Sequence, residues 1–323
     1  MKGYIVHEFG GPENMLWETL PRPEPGPGQL LVEVHASGMN FAETRMRAGT
    51  YSGQPLPFVM GMEGAGIVRE VGPGVSGFEV GQRVFGRARG CHAHSVLFDA
   101  EHLMPLPDTL SFIEGAAIPV GWLTAWHALH TVAEITPGQR ILVEAAGGSV
   151  GSAALQIARQ HDCWVAATAS SDRKLDKARE LGADLLIHYL NESISERVLE
   201  ASGEAGADVS LMTIGEATAT QLMDAMGMDG KVVMFGSTGG KDICFNLGIG
   251  IRNLQLLSMS ISTSPAFVPV TMKSFREQAL PLFADGTFKP VVDTVLPLGE
   301  LVRAHRMIDE HQHFGKIILE VPQ

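Results

Sequence analysis

The stretch that most constrains the fold spans residues 141–152 and reads Ile-Leu-Val-Glu-Ala-Ala-Gly-Gly-Ser-Val-Gly-Ser. Its apolar start predicts a buried strand, its small residues predict a tight turn, and residues 151–158 predict the start of a helix. Glycines let a backbone approach a pyrophosphate, and a helix N-terminus offers N–H groups to it. The spacing Ala145-x-x-Gly148-x-x-Gly151 departs from strict G-x-G-x-x-G, so the interpretation as a dinucleotide site depends on the surrounding chain.

Composition limits the classes of function. The chain has 323 residues, 45% of them hydrophobic, which is enough for about two domains. Its net charge of −12, with no basic run, argues against nucleic acid or an anionic membrane as a partner. Three scattered cysteines predict a reducing compartment without a disulfide framework. With no secretory signal visible and no apolar run near the ~18–20 residues of a membrane span, we expect a cytoplasmic protein.

The periodicity of the sequence changes along the chain. Residues 1–110 contain many short strand-like segments between Gly- and Pro-rich turns, a pattern typical of a barrel or partly open sheet. Within them, residues 41–48 predict a short helix ended by Gly49. Residues 140–262 alternate strands and helices, which predicts right-handed crossovers and a doubly wound parallel sheet whose last strand covers residues 254–261. The tail after Ser264 breaks this alternation and is expected to return to the first domain.

Assembled in order, these segments resemble the zinc-free quinone oxidoreductases, the ζ-crystallin-like branch of the medium-chain dehydrogenase/reductase superfamily. The resemblance runs nearly end to end. It implies an α/β fold in which residues 119–263 form a Rossmann cofactor-binding domain with a doubly wound parallel sheet. Residues 1–118 and 264–323 would form a GroES-like, β-rich catalytic domain, with a cleft between the two domains. The resemblance is carried by Asn40-Phe41-Ala42-Glu43, Arg47-Ala48-Gly49-Thr50-Tyr51, Gly61-Met62-Glu63-Gly64-Ala65-Gly66, the turn from Ala145 to Gly151, Leu181-Gly182-Ala183-Asp184, Ala304-His305-Arg306 and Gly315-Lys316-Ile317-Ile318-Leu319.

The resemblance to this family also bears on metal binding. Zinc-dependent relatives carry Cys where this chain has Asn40 and His where it has Met62, and a catalytic zinc needs three protein ligands. The one local cluster that could ligate a metal is Cys91-His92-Ala93-His94, because its two histidines would share a face of a strand. We interpret this cluster as structural. Glu63 is expected to support the local turn or cleft. Without a Lewis acid, the expected acceptors are already electron-poor, namely quinones or α,β-unsaturated carbonyls.

The end of the second central strand bears on the choice of cofactor. It runs into Ser170 without the acidic residue that would bind a ribose 2′-hydroxyl. Arg173 and Lys174 follow, and they either suit a 2′-phosphate or are solvated first-turn residues. The resemblance places Lys174 and Tyr189 on that phosphate, with Ser170 nearby. Asp172 is the counter-observation, which we interpret as an acid favoured by the helix dipole. NADPH is therefore the expected cofactor.

Other cofactor contacts are expected from the turn and from the resemblance. Thr124 matches a family position near the nicotinamide, although its hydroxyl would equally suit a bond to its own helix backbone. Small residues that end the fifth strand are expected on the nicotinamide side. The remaining expected cofactor residues are Gly148, Ser149, Val150, Gly151, Gly236 and Ser237.

Three residues are candidates for catalysis. The resemblance carries Asn40 and Tyr51 into the cleft. There Asn40 would donate its amide to a carbonyl oxygen or to the nicotinamide carboxamide. Tyr51 would bind a reduced oxygen and relay a proton, unless it only packs in a loop. Many relatives carry Tyr where this chain has Arg45. Arg45 either faces the cleft, to stabilise an oxyanion or select an anionic substrate, or lies on solvated helix surface.

The sequence therefore predicts an NADPH-dependent reductase of small quinones or conjugated enones. Three alternatives stay open, because one fold supports several roles. They are a non-catalytic NADPH-binding protein of the crystallin or vesicle-protein kind, an enoyl-thioester reductase, and a zinc alcohol dehydrogenase. A homodimer is expected through edge pairing of residues 256–262.

Overall fold

The structure is a computed structural model that describes residues 1–51, 53–240, 242–244 and 248–322. It divides into two compact units. Unit 1 joins Met1–Val120 to Met272–Gln323, and unit 2 comprises Gly121–Thr271. No helix among the described residues combines the length and the apolar character needed to span a bilayer.

The strands are numbered along the chain. They are β1 (Lys2–Val6), β2 (Met15–Thr19), β3 (Gln29–Gly38), β4 (Phe58–Val59), β5 (Glu63–Val71), β6 (Arg83–Arg87), β7 (Ser95–Asp99), β8 (Leu103–Pro105), β9 (Arg140–Val143), β10 (Trp164–Ala169), β11 (Leu185–His188), β12 (Ala207–Met212), β13 (Met226–Met234), β14 (Gln255–Ser258), β15 (Val292–Pro297) and β16 (Lys316–Glu320).

The helices are numbered in the same way. They are α1 (Phe41–Ala48), α2 (Phe112–Ala116), α3 (Pro119–Trp126), α4 (Ser149–Gln160), α5 (Asp172–Glu180), α6 (Ile194–Ser202), α7 (Ala219–Asp224), α8 (Gly248–Ile251), α9 (Leu280–Ala284) and α10 (Leu301–Asp309). Short 3₁₀ turns cover Pro12–Asn14, Ala100–His102 and Leu298–Glu300, and π-helical turns cover His127–Val132, Phe267–Met272 and Phe275–Ala279.

Unit 2 contains a parallel sheet of order β11-β10-β9-β12-β13-β14. This is the doubly wound Rossmann order, and it confirms the fold class predicted from the sequence. Strands β9 and β10 are buried along nearly their whole length, as expected where helices cover both faces of a sheet. Because the strands are parallel, their carboxyl ends lie along one edge.

The last strand of this sheet is shorter than predicted. Strand β14 ends at Ser258, whereas the alternating pattern predicted a strand over residues 254–261. A turn over residues 261–263 follows, so part of the segment expected at a dimer edge lies outside the strand.

Unit 1 is built on a sheet of order β15-β16-β3-β5-β6-β8, with β7 also paired to β3, and on a smaller sheet of order β2-β1-β4. The three contacts β16–β3, β3–β5 and β5–β6 are antiparallel. Therefore β16 and β5 begin at the same edge at which β3 and β6 end. This edge brings together the polar residues described next.

Candidate functional site

The glycine turn of unit 2 is closely packed against its own strand. Ala145 has φ 51°, and the Ala146 amide donates to the Thr168 carbonyl of β10 at 2.9 Å. A Cβ on Gly151 would lie 2.5 Å from the Ala145 carbonyl oxygen, so only glycine fits there without a shift. A Cβ on Gly148 would meet only ordinary contacts. Gly151 therefore serves helix packing, whereas Gly148 leaves room above the turn.

Helix α4 begins immediately after Gly148. Gly148 is the N-cap residue, and no side chain caps the helix N-terminus there. Ser149, Val150 and Gly151 form its first turn. An α-helix has no carbonyl partners of its own for the N–H groups of its first turn. These three amides and the helix dipole suit an anion, so the turn has the chemistry of a pyrophosphate cradle.

A buried carboxylate, Glu144, links this turn to the next strand. One of its oxygens accepts the amides of Thr213 at 2.6 Å and Ile214 at 2.7 Å, and the other accepts the Thr218 hydroxyl. Burial raises the pKa of Glu144, although these donors favour the charged form. Glu144 therefore joins the carboxyl ends of β9 and β12 at the edge where the turn lies.

The residues predicted to hold a 2′-phosphate lie near one another in unit 2. Ala169 pairs with His188, so Ser170 and Tyr189 follow directly at the ends of β10 and β11, and the Tyr189 amide donates to the Ala169 carbonyl at 3.3 Å. The Lys174 side chain lies against the glycine turn, because a Cβ on Gly147 would be 2.8 Å from Lys174 Cδ. This brings the Lys174 side chain from α5 to the turn.

Arg173 also lies in the first turn of α5, but it is exposed. Thr124 is buried within α3. Gly236 packs tightly, since a Cβ there would lie 2.6 Å from the Thr213 carbonyl oxygen. Ser237 is exposed in the same loop. The loop after β13 thus packs against Thr213, whose amide donates to Glu144, at the carboxyl edge of the sheet.

Unit 1 contains a row of polar residues at its sheet edge. Lys316 begins β16, Asn40 follows β3, and Glu63 begins β5. Lys316 Nζ donates to Asn40 Oδ1 at 2.7 Å and forms an ion pair with Glu63 Oε1, while Asn40 Nδ2 donates to Glu63 Oε1 at 2.7 Å. All three side chains are buried. The second Glu63 oxygen accepts the Val120 amide at 2.7 Å, so Glu63 supports the local structure.

The side-chain amide of Asn40 forms hydrogen bonds to neighbouring side chains through both its nitrogen and its oxygen. Besides Glu63, its Nδ2 contacts Glu43 Oε1 at 3.0 Å, and its backbone amide donates to that same oxygen at 3.1 Å. The ammonium of Lys316 on one side and two carboxylates on the other allow only one orientation of the amide. Both amide hydrogens are therefore used within the protein, and the donor role expected of Asn40 has no hydrogen left for it in this arrangement.

A buried glutamate–histidine pair extends the row inward. Glu43 Oε2 lies 2.7 Å from His92 Nε2, and His92 Nδ1 lies 2.9 Å from Ser37 Oγ. Burial alone would raise the pKa of Glu43, but His92 and Asn40 outweigh it and the pKa is lowered. Nearby on α10, burial lowers the pKa of His305 to about 3, so its ring is neutral at pH 7.

The histidine cluster thus has separate structural uses. His92 takes part in the glutamate pair, whereas the His94 ring meets the edge of Trp17, with ring centroids 5.5 Å apart. The strand β7 begins at Ser95, so neither histidine lies on it and they do not share the predicted strand face. Across the described residues, no group of three or more His, Cys, Asp or Glu side chains could hold a metal ion.

The two remaining catalytic candidates lie on either side of the end of α1. Arg45 is half-buried, and its guanidinium lies 5.2 Å from the Phe41 ring centroid on the same helix. Tyr51 is half-buried and its amide donates to the Arg45 carbonyl at 3.1 Å. The Tyr51 side chain lies close enough to Arg87 to influence the Arg87 pKa.

Arg87 lies at the same sheet edge and is not among the residues predicted from the sequence. It ends β6 directly opposite Glu63. Burial lowers the pKa of Arg87 to about 10, although Glu63 and Tyr51 both favour its charged form. Glu144 was also missed, although a lone carboxylate ending an apolar strand before a glycine turn is a usable signal. Lys316 was noticed only as part of a family motif, because the pairing of β16 beside β3 is a long-range contact.

Comparisons with known proteins agree with both units. Residues 26–111 match the family described as "Alcohol dehydrogenase GroES-like domain", and residues 149–285 match "Zinc-binding dehydrogenase". Rattus norvegicus quinone oxidoreductase is 33% identical over 99% of this chain and 97% of its own. A Pseudomonas syringae quinone oxidoreductase structure has a TM-score of 0.91 at 29% identity, covering 99% of both chains. An Escherichia coli quinone oxidoreductase complexed with NADPH has a TM-score of 0.92 at 28% identity, covering 99% of this chain and 100% of that one.

A GroES-like unit and a Rossmann unit in one chain define the class of medium-chain dehydrogenases and reductases. The chain belongs to the quinone oxidoreductase branch of that superfamily, the branch that its motifs resemble, and it is an oxidoreductase.

Proposed function

We propose that this oxidoreductase uses NADPH to reduce small quinones or conjugated enones and does so without a metal. The observation that carries the proposal is the cradle in unit 2. It combines a glycine turn, the free first-turn amides of α4 and the Lys174 side chain lying against Gly147. The strand end at Ser170 offers no carboxylate for a 2′-hydroxyl, which favours the phosphorylated dinucleotide.

The residues of unit 2 fit NADPH by their chemistry. The amides of Ser149, Val150 and Gly151 would hold the pyrophosphate, and Lys174, Tyr189 and Ser170 would hold the 2′-phosphate. When bound, the reduced nicotinamide supplies a hydride. Thr124, Gly236 and Ser237 are proposed to line the nicotinamide side.

The residues of unit 1 are proposed to bind the acceptor. Tyr51 would donate a hydrogen bond to the acceptor oxygen and supply or relay the proton that completes reduction. Asn40, Lys316 and Glu63 would keep the sheet edge rigid and dry, because their polar atoms bond to one another. Asn40 and Met62 stand where zinc-dependent relatives carry Cys and His, which supports reduction without a metal.

The proposed dimer would use the edge of the unit 2 sheet. Strand β14 pairs with β13 on one side only among the described strands, and Leu256 and Leu257 are half-buried. Sedimentation equilibrium checks this, and a monomer at micromolar concentration would count against it.

Separate titrations with NADPH and NADH test the cofactor. We expect tighter binding of NADPH, and a loss of about tenfold for NADPH but not for NADH in Lys174→Met, since one charged hydrogen bond is removed. Lys177→Met, one turn further along α5, is the matched control. Equal affinities that Lys174→Met leaves unchanged would contradict the assignment.

A panel of acceptors with the preferred cofactor tests the reaction. We expect turnover of naphthoquinones and simple enones by protein purified without added zinc. Tight NADPH binding with no consumption would instead favour a non-catalytic role. Selective turnover of a crotonyl thioester would favour an enoyl-thioester reductase, and stoichiometric zinc in the purified protein would favour an alcohol dehydrogenase.

A further inference from the structure

Glu63 uses its two carboxylate oxygens for different partners. Oε1 accepts from the side chains of Lys316 and Asn40 at the sheet edge of unit 1. Oε2 accepts the backbone amide of Val120 at 2.7 Å, from a residue 57 positions further along the chain. The side chain is fully buried, so water does not compete for either oxygen. The hydrogen bond to Val120 is therefore a fixed contact of the folded protein.

Val120 lies in the first turn of α3, directly after Pro119. An α-helix has no carbonyl partners of its own for the amides of its first turn, and a proline has no N–H at all. Val120 therefore supplies the first N–H of this helix, and the Glu63 carboxylate accepts it. A negative charge at a helix N-terminus is also favoured by the helix dipole. Glu63 thus caps α3 from a distant strand.

The next residue of α3 lies against the first turn of α4. A Cβ on Gly121 would be 3.0 Å from Ser149 Cβ and 3.1 Å from the Ser149 carbonyl oxygen, so there is little space between the two helices. Ser149 carries one of the amides proposed to hold the pyrophosphate. Thr124 is buried and follows Val120 by four residues, about one helical turn. A shift of α3 at Val120 would therefore move Thr124 relative to the first turn of α4.

We propose that Glu63 is a positioning residue for the cofactor site. By holding the amide of Val120, it fixes the place of Thr124 beside the glycine turn, and Thr124 contacts the nicotinamide half of the dinucleotide. The adenosine half is held from α5 and from the ends of β10 and β11, which do not include α3. Glu63 itself does not touch the cofactor. The inference rests on the proposed function, because that function supplies the dinucleotide and the role of Thr124.

Two ligands separate this positioning role from a general loss of structure. NADPH is titrated by its fluorescence, and adenosine 2′,5′-bisphosphate, which carries only the adenosine half, is titrated by calorimetry. In Glu63→Gln the side-chain oxygen should face the donors Lys316 and Asn40, which leaves the NH₂ group facing the Val120 amide. We expect this variant to bind NADPH about tenfold more weakly, since one hydrogen bond to a charged group is lost, and the bisphosphate less than about twofold more weakly.

Lys316→Met is the matched control. It breaks the buried ion pair with Glu63 but keeps the hydrogen bond from Val120. The ratio of the two dissociation constants should therefore stay at the value of the unchanged protein. Gly121→Ala presses a Cβ against Ser149 without altering Glu63, and it should reproduce the selective loss of NADPH affinity. A ratio that neither Glu63→Gln nor Gly121→Ala changes would overturn the proposal.

A double-mutant cycle gives the second readout. Thr124→Val removes the hydroxyl through which Glu63 is proposed to act, so adding Glu63→Gln to this variant should weaken NADPH binding by less than about twofold. Full additivity of the two substitutions would leave Glu63 a purely structural role and contradict the proposal. If the unchanged protein binds neither NADPH nor the bisphosphate, the proposed cofactor is wrong and the role of Glu63 falls with it. If it binds both and their ratio does not respond to Glu63→Gln, only the role of Glu63 is wrong.

Discussion

Two buried carboxylates, one in each unit, have pKa values that are shifted in opposite directions. Glu43 in unit 1 and Glu144 in unit 2 are both fully withdrawn from solvent. Burial raises the pKa of Glu144 despite three hydrogen-bond donors. For Glu43, burial is outweighed by His92 and Asn40, and its pKa is lowered.

The difference comes from the partners. The donors to Glu144 are two backbone amides and a hydroxyl, which are neutral and offset only part of the desolvation. Glu43 faces an imidazole 2.7 Å away, which adds attraction between charges in a low dielectric. Unit 1 is therefore a network of interdependent charged side chains, whereas unit 2 forms its cradle from backbone and glycine. Changes in charge should affect unit 1 most, and changes in backbone contact should affect unit 2 most.

The largest expected effect is on the stability of unit 1 in Lys316→Met. Removing the ammonium breaks a buried ion pair with the Glu63 carboxylate, which costs about 3–5 kcal/mol of unfolding free energy. Urea unfolding followed by hydrogen-exchange mass spectrometry of unit 1 peptides measures it. Adding Glu63→Gln to the variant should recover part of the loss, and exposed Lys273→Met should change stability by less than about 0.5 kcal/mol. A single variant as stable as the unchanged protein would remove the contrast between the units.

The next effect separates two glycines of unit 2. Gly151→Ala places a Cβ 2.5 Å from the Ala145 carbonyl oxygen and should destabilise unit 2 by about 1–3 kcal/mol. Gly148→Ala meets only ordinary contacts in the protein and should leave stability unchanged while weakening NADPH binding. Thermal unfolding and fluorescence titration of NADPH together check the pair. Loss of stability in Gly148→Ala would show that the turn is packed, not open.

A third prediction concerns the stability of unit 1 at acidic pH. The pKa of His305 is lowered to about 3 by burial, with Glu43 opposing that shift and His92 and Arg47 adding to it. The unfolded ring has the ordinary pKa of 6.5, so below pH 6.5 the unfolded chain binds the extra proton. Unit 1 should therefore lose about 1 kcal/mol per pH unit as the pH falls from 6.5 towards 3. His305→Leu should flatten this slope between pH 6.5 and 5 in urea titrations, whereas exposed His7→Leu should keep it.

The smallest expected effect is on the stability of unit 2. Its pH dependence has the opposite sign, because the contribution of Glu144 is lost as the pH rises. Because the folded pKa of Glu144 is raised above 4.5, its contribution is complete below pH 4.5 and is lost as the pH rises through the folded pKa. Glu144→Gln keeps an oxygen for the two amides, so we expect a change below about 1 kcal/mol at pH 7 and a flatter dependence on pH. Hydrogen exchange in unit 2 peptides at pH 5 and pH 7 measures it. A steeper dependence in the variant would assign the slope to another group.

Local pattern was enough to predict much of the fold. Residues 41–48 were predicted as a helix ended by Gly49, and α1 has these bounds with Gly49 at φ 76°. The alternation after residue 140 predicted a parallel sheet, and its order is the doubly wound one. The end of β14 was placed wrongly because residues 259–261 continue the apolar pattern beyond the last paired residue.

The candidate site was less predictable. The turn was recognisable because its glycines and helix start are contiguous in sequence. In unit 1, Asn40 and Glu63 were noticed, but their hydrogen bond to each other was not, and Arg87 was missed altogether. These residues lie on or beside strands that are separated in the sequence, and no local pattern states which strands pair.

The sequence by itself determined most of the elements, the fold class and the place of the glycine turn, because periodicity and glycine spacing act over a few residues. Only the tertiary structure decided which polar groups share the sheet edge of unit 1 and which hydrogens remain for a ligand. The physical reason is that a donor bonded to one buried carboxylate is lost to any other acceptor, and this competition depends on contacts between distant segments. For Asn40 these contacts use both amide hydrogens.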